Sequence, residues 1–319
     1  MSFDRLQEKI DKLQNPTVVG FDPALEHIPP QILDRHIAEK GETLEAAALA
    51  VSEWGVGLVD ALRDIVPAVK PQLAFYEALG PYGVLALRMT IDYAKSKGMY
   101  VICDGKRNDI GSSAQAYSAA YLGTVKVGGA ELRPFDADAL TVNAYLGSDG
   151  LKPFIDAAEK YDKAVFALVK TSNPSAGELQ DLLVGKQGDG WKQGDGSSAS
   201  LHVYTAVGDL MEKISIETVG KYGYTRVGAV VGATYPEETV FLRERLKNTF
   251  FLVPGYGAQG GTAKEAALAF DKDGRGAIVN SSRGIIAAWK KTGGDYAAAA
   301  RAEALRMRDE LRREIYLGV

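Results

Sequence analysis

The feature that most restricts how this chain can fold is a recurrence: eight short apolar runs rich in β-forming residues, separated by stretches of helical character. The runs are 17–21 (TVVGF), 65–69 (IVPAV), 100–103 (YVIC), 139–142 (ALTV), 164–169 (AVFALV), 227–231 (VGAVV), 249–253 (TFFLV) and 276–279 (GAIV). Each is almost continuously apolar rather than alternating, as expected of parallel strands covered on both faces. Amphipathic segments rich in helix formers occupy 44–63, 84–97, 112–122, 201–222 and 237–246. Residues 296–316 read as a closing helix whose opposite charges lie three and four apart, with the charged face turned to solvent. Eight strand–helix alternations predict an α/β protein of the (β/α)8 TIM-barrel class, although an open doubly wound sheet satisfies the same alternation.

No linker rich in Pro, Ser or charge divides the 319 residues, so a single domain is expected. Two insertions stand out, near 24–41 and at 184–200, where KQGDG occurs twice in a Gly-rich stretch that reads as either a mobile lid or a tolerated surface insertion. A net charge of −4 gives no overall pull toward nucleic acid or an anionic membrane, so an anionic ligand would need a local cluster. The single cysteine, Cys103, excludes an internal disulfide and suits a reducing cytoplasm. Residues 1–12 lack the apolar core of a signal peptide, and no window approaches the roughly 20 apolar residues of a membrane span. A cytoplasmic protein is expected, with neither membrane nor nucleic acid as partner.

Chemistry concentrates just after the runs. Asp22 follows the first, Lys70 the second, Asp104-Gly-Lys106 the third, Asn143 the fourth and Lys170-Thr171-Ser172 the fifth. Gly232-Ala-Thr234, the stretch 254–260 (PGYGAQG) and 280–284 (NSSRG) follow the last three. In a parallel barrel all of these reach the same C-terminal mouth, where barrel active sites lie. Alternation along a strand end puts Asp104 and Lys106 on one side, within reach of Lys70. Neighbouring carboxylates favour charged lysines, and a positioned ammonium can serve as a general acid. A surface ion-pair network capping the barrel is the plain alternative. The Gly-rich turns after runs seven and eight, with Arg283, read as a phosphate site whose backbone N–H groups and guanidinium hold an anion. Residues 255–260 also match G-x-G-x-x-G, but the position about 20 residues on is Asn280 rather than an acid. A mononucleotide or sugar phosphate therefore fits better than NAD. His27, His36 and His202 lack zinc spacing and are expected on the surface or on helices, while Cys103 should face the barrel wall.

The set FDP (21–23), VKPQLAFYE (69–77), DGKRNDI (104–110), VKTSNPS (169–175), VPGYGAQG (253–260) and NSSRG (280–284) resembles orotidine 5′-phosphate decarboxylase, in the longer bacterial form, over most of the chain. The resemblance implies a homodimer of barrels that converts orotidine 5′-monophosphate (OMP) to uridine 5′-monophosphate (UMP) with neither metal nor organic cofactor. Carried over by motif, Lys106 would protonate C6 of the pyrimidine, beside Asp104, while Asp109 would reach into the partner subunit's site and complete an array with Lys70. Asp22 and Lys70 would hold ribose hydroxyls, Ser172 the pyrimidine edge, and Gln259 and Arg283 the phosphate. Ile110, Gly284 and Ser113, the last standing where other members often carry Thr, would complete the substrate contacts. The same motif leaves two rivals: a metal-dependent keto-sugar-phosphate decarboxylase and a barrel that binds a phosphorylated ligand without turnover.

Overall fold

The computed structural model describes residues 1–187, 190–193, 200–217 and 219–317. Eight parallel strands close into a barrel. They are β1 (Thr17–Phe21), β2 (Ala68–Pro71), β3 (Tyr100–Arg107), β4 (Ala139–Val142), β5 (Ala164–Lys170), β6 (Val227–Val231), β7 (Phe251–Val253) and β8 (Ala277–Ser281). The ring runs in sequence order and closes where β1 pairs with β8, Thr17 opposite Val279. Helices Leu44–Leu62, Gly80–Ser96, Gly111–Tyr121, Gly147–Lys160, Val203–Ser215 and Pro236–Arg245 alternate with the strands, and Tyr296–Leu317 closes the chain.

Strand parity divides the apolar residues into two cores. Val18, Ala68, Ile102, Ala139, Phe166, Val230, Leu252 and Ile278 point inward and pack together with Phe3, Leu6 and Ile10 of helix Ser2–Leu13. That helix plugs the bottom of the barrel, with Phe3 stacked on Phe250 at 5.0 Å between ring centroids. Residues of opposite parity, among them Val19, Val69, Val101, Cys103, Leu140, Val165, Ala229, Phe251 and Val279, pack outward against the helices. Burial on both faces explains the unbroken apolar runs. Cys103 is fully buried in this outer layer, and burial pushes its thiol well above the usual range.

Several expected boundaries move. The second strand is Ala68–Pro71 rather than 65–69, because Ile65 and Val66 pack in the turn before Pro67. Lys70 is thereby a strand residue, as is Lys170 in β5. The helix expected at 201–222 begins at Val203 and ends at Ser215, since Leu201 belongs to a strand, Ser200–His202, that pairs with Leu183–Gln187. The 24–41 insertion forms a turn of 3-10 helix, Leu25–His27, and helix Pro30–Lys40. In the 184–200 insertion, residues 188–189 and 194–199 lie outside the described residues; Gly190–Gln193 pairs with Leu183–Gln187. The charged face of the last helix is more than solvated surface. Arg301 pairs with Asp64, and Glu310 accepts a 2.6 Å hydrogen bond from Tyr256 in the turn after β7.

Candidate active site

The inward parity that fills the bottom of the barrel with apolar side chains continues upward into polar ones. Two residues beyond Ala68 is Lys70, beyond Ile102 is Asp104, beyond Ala139 is Thr141, and beyond Ile278 is Asn280. These groups converge on the mouth. Asp104 is the hub, 7% exposed. Its Oδ2 accepts from Lys70 Nζ at 2.7 Å and from Gln72 Nε2 at 3.0 Å. Its Oδ1 accepts from Lys106 Nζ at 2.7 Å and from the Thr141 hydroxyl at 2.9 Å. Burial alone would raise the Asp104 carboxyl, but the charges and hydrogen bonds of Lys70 and Lys106 outweigh it and hold the group far below the usual carboxylate range. For Lys70, burial works against the ammonium; the Asp104 and Asp22 carboxylates reverse that and raise the amine above its ordinary value. These are buried, hydrogen-bonded charges, a different case from a surface ion-pair network.

Simple alternation does not place Lys106. The register between β3 and β4 shifts after Cys103, so that Cys103 faces Leu140 and Arg107 faces Val142. Lys106 sits in this bulge with φ at 46°, a left-handed conformation that a residue with a side chain adopts at a cost of about 1–2 kcal/mol. Its backbone N–H donates to the Thr141 hydroxyl at 2.9 Å, so Thr141 clasps Lys106 on one side and Asp104 on the other. The ammonium end stays reachable from the mouth, the side chain being 46% exposed.

Two contiguous cavities occupy the mouth. One, of about 240 Å3, is lined by Lys70, Gln72, Asp104, Lys106, Thr141 and Ser172 among others. The other, of about 270 Å3, is lined by His27, Phe75, Tyr256, Ala258 and Arg283 among others. Asp22, Pro254, Gln259, Asn280 and Ser282 line both. The Ser172 hydroxyl donates to Gln259 Oε1 at 2.7 Å, tying the two cavities together. Gly20 is required here: a Cβ on it would lie 1.8 Å from the Ser282 hydroxyl oxygen.

The turn after β7 departs from the expected cradle of free N–H groups. Gly255, Gly257 and Gly260 are left-handed, with φ of 99°, 72° and 98°, and the turn closes on itself. The N–H groups of Gly257, Gly260 and Gly261 donate to carbonyls within it, so these three are not free to hold an anion. Both side chains are solvent-facing, and Gly284 lines a third cavity of about 470 Å3 on the far side of Arg283. Asp109, Ile110 and Ser113 line none of these cavities. Asp109 accepts from the Ile110 backbone N–H at 2.8 Å, and Ile110 is 54% exposed. Lys170 is also elsewhere, fully buried, paired with Asp181 and lying over the Tyr235 ring.

Gln72, Thr141, Asn280, Ser282 and His27 complete the mouth; only the stretch 280–284, which holds Asn280 and Ser282, was expected there, and no site role was given to any of the five. For the first four the signal was available, since each has the parity of an inward residue below it. His27 had no such signal. It was expected on the surface or a helix; it ends the 3-10 turn Leu25–His27 but is only 7% exposed, because the insertion that carries it folds over the rim of the second cavity. His36 lies on helix Pro30–Lys40 beside Glu53, and His202 bonds to the Asp181 carbonyl. Among the described residues, no three His, Cys, Asp or Glu side chains gather as a metal site would require.

The sequence model of the "Orotidine 5′-phosphate decarboxylase / HUMPS family" matches residues 52–294. The chain belongs to that family. Orotidine 5′-phosphate decarboxylase of Rhodopirellula baltica is 41% identical over 315 residues, covering 97% of this chain and 98% of that protein. The decarboxylase of Caldicellulosiruptor bescii is also 41% identical, over 90% of each chain. The solved structure of Leishmania donovani OMP decarboxylase superposes with a TM-score of 0.69 at 29% identity, covering 98% of both chains. The decarboxylase-family match includes the Asp104 hub, Lys106 and both Gly-rich turns, while Asp22 and His27 precede it.

Proposed function

We propose that this mouth decarboxylates OMP to UMP, as a carboxy-lyase, with Lys106 as the proton donor. One observation carries the reading: a buried anion, Asp104, held by four donors, with the Lys106 ammonium fixed against it at the accessible end of the array. As the bond from C6 to the carboxylate breaks, its electron pair stays on C6, where no ring position delocalises it. An ammonium already aimed at that carbon stabilises the developing charge without reorganising, then transfers its proton as CO2 leaves. Asp104 stands beside the departing carboxylate and keeps the two lysines in place.

The remaining contacts follow from the two cavities. Asp22 and Lys70 take ribose hydroxyls at their junction, Ser172 meets the pyrimidine edge, and Gln259 with Arg283 and the neighbouring Gly284 grip the phosphate. The bond from Ser172 to Gln259 links base and phosphate ends, so phosphate binding energy can assemble the site around C6. Asp109, Ile110 and Ser113 enter through a second copy of the chain. Beside them Tyr117, Tyr145 and Leu146 expose apolar surface, 38%, 76% and 44% respectively, as a face covered in a homodimer would. The enzyme works in the cytoplasm on this reading; among the described residues no helix is long and apolar enough to cross a membrane.

The test is the ultraviolet absorbance of OMP mixed with EDTA-treated protein. A fall to the UMP spectrum is expected. Unchanged absorbance with folded, dimeric protein would overturn the reading and turn attention to keto-sugar phosphates with added magnesium.

A further inference from the structure

His27 stands at the boundary of two cavities. Together with Arg283 and Ala258 it lines both the 270 Å3 cavity, whose other wall carries Gln259, and the 470 Å3 cavity beyond. It is held from two directions. Its Nδ1 lies 3.1 Å from the Asp22 carbonyl oxygen, so Nδ1 carries the proton and donates it there. Its own carbonyl accepts from the Trp289 indole N–H at 3.1 Å. The ring is therefore fixed in position and tautomer, and Nε2 is the edge left to act. The Glu26 carboxylate lies 3.6 Å from it and is largely solvent-exposed.

A buried imidazole braced at Nδ1, beside a guanidinium, on the rim of a cavity assigned to an anion can donate from Nε2 as an imidazolium. We propose that His27 is a third phosphate-binding side chain, whose Nε2–H joins Gln259 and Arg283 on the 5′-phosphate of the substrate. The inference rests on the reading that places the phosphate against those two residues. With Nδ1 committed as a donor, Nε2 donates only from the imidazolium, whose charge complements a phosphate dianion at hydrogen-bond distance. The Asp22 carbonyl that braces His27 belongs to the residue proposed to hold ribose, so one short segment, 22–27, would register ribose and phosphate together.

Two substitutions separate the edges of the ring. In His27→Asn the amide nitrogen falls near the Nδ1 position, keeping the brace and deleting the phosphate donor. In His27→Gln it falls near Nε2, keeping the donor and losing the brace. The assay compares OMP with orotidine, the same nucleoside without phosphate. His27→Asn should lower kcat/KM on OMP by about 10–100-fold, the worth of a hydrogen bond to a charged group, and leave orotidine within about two-fold. His27→Gln should retain most of the activity on OMP. Equal losses on both substrates would make His27 a merely structural residue and overturn the proposal, as would an unaffected His27→Asn. If neither variant folds, nitrogen-15 spectra of the unmodified protein decide: UMP, but not uridine, should shift one histidine Nε2 resonance, and no such difference would overturn the proposal. Failure of the unmodified protein to turn over OMP would instead strike the underlying reading.

Discussion

Replacing Thr141 by valine removes one hydroxyl and almost nothing else, which makes it the sharpest probe of how Lys106 is held. Thr141 is 1% exposed, and its hydroxyl both donates to Asp104 and accepts the Lys106 backbone N–H, each at 2.9 Å. Asp104 keeps three other donors, so the first loss belongs at the low end for a charged acceptor, about 1.5 kcal/mol. The Lys106 N–H is left without its partner in a half-buried bulge, for about 1 kcal/mol more. The sum, about 2–3 kcal/mol, corresponds to a Tm lower by roughly 3–4 °C in a chain of this size. Catalysis should suffer separately. The clasp holds Lys106 in a left-handed conformation that is itself about 1–2 kcal/mol uphill, and release of that much positioning energy lowers kcat by about ten-fold. KM for OMP should change little, because the phosphate contacts proposed above lie in the other cavity. The assay is the loss of OMP absorbance at saturating substrate, with thermal unfolding in parallel, and Thr141→Ser should restore both. A valine variant with normal kcat and normal Tm would refute the argument that this hydroxyl organises the site.

Other expectations follow from the same array. Lys106→Ala should abolish measurable turnover while UMP still binds in calorimetry; near-normal turnover would remove Lys106 as proton donor. The Asp104 carboxyl is held below its ordinary 3.8, so its contribution is complete above that value and drains away as pH falls below it. Lys70 is raised above 10.5, so its contribution holds below that value and is lost only as pH rises beyond it. Urea unfolding of the wild type and Asp104→Asn should therefore differ by a constant amount between about pH 5 and 9 and converge in acid; a gap that instead widened as pH fell below about 4 would contradict the depressed carboxyl. For the dimer, Asp109→Ala and Lys106→Ala should each be inactive alone, yet regain up to about a quarter of wild-type activity when mixed and allowed to exchange subunits, because half the dimers then carry one intact site. Absence of any recovery, with exchange verified by mass, would place Asp109 outside the site of the partner subunit.

The chain's own order of residues was enough to specify eight strands alternating with helices and much of the site. The period-two parity of strands is a local property, so apolar runs buried on both faces announce parallel strands, and the residue two beyond an inward apolar one is an inward polar one. Asp104 and Lys70 were legible from their places just after apolar runs, and Thr141 and Asn280 were open to the parity rule. What tertiary structure alone decided depends on closure of the ring, which sets distances between residues far apart in sequence. The 37-residue separation of Asp104 and Thr141 collapses to a hydrogen bond only because β3 and β4 are neighbours. The left-handed bulge at Lys106 arises from that pairing and not from any preference of lysine. Likewise the burial of His27, the bond of Tyr256 to Glu310 on the last helix, and the position of Asp109 away from the cavities of its own chain follow from how loops and helices pack around a closed barrel. Local periodicity encodes which face a side chain takes; which other side chains share that face is settled only when the strands close.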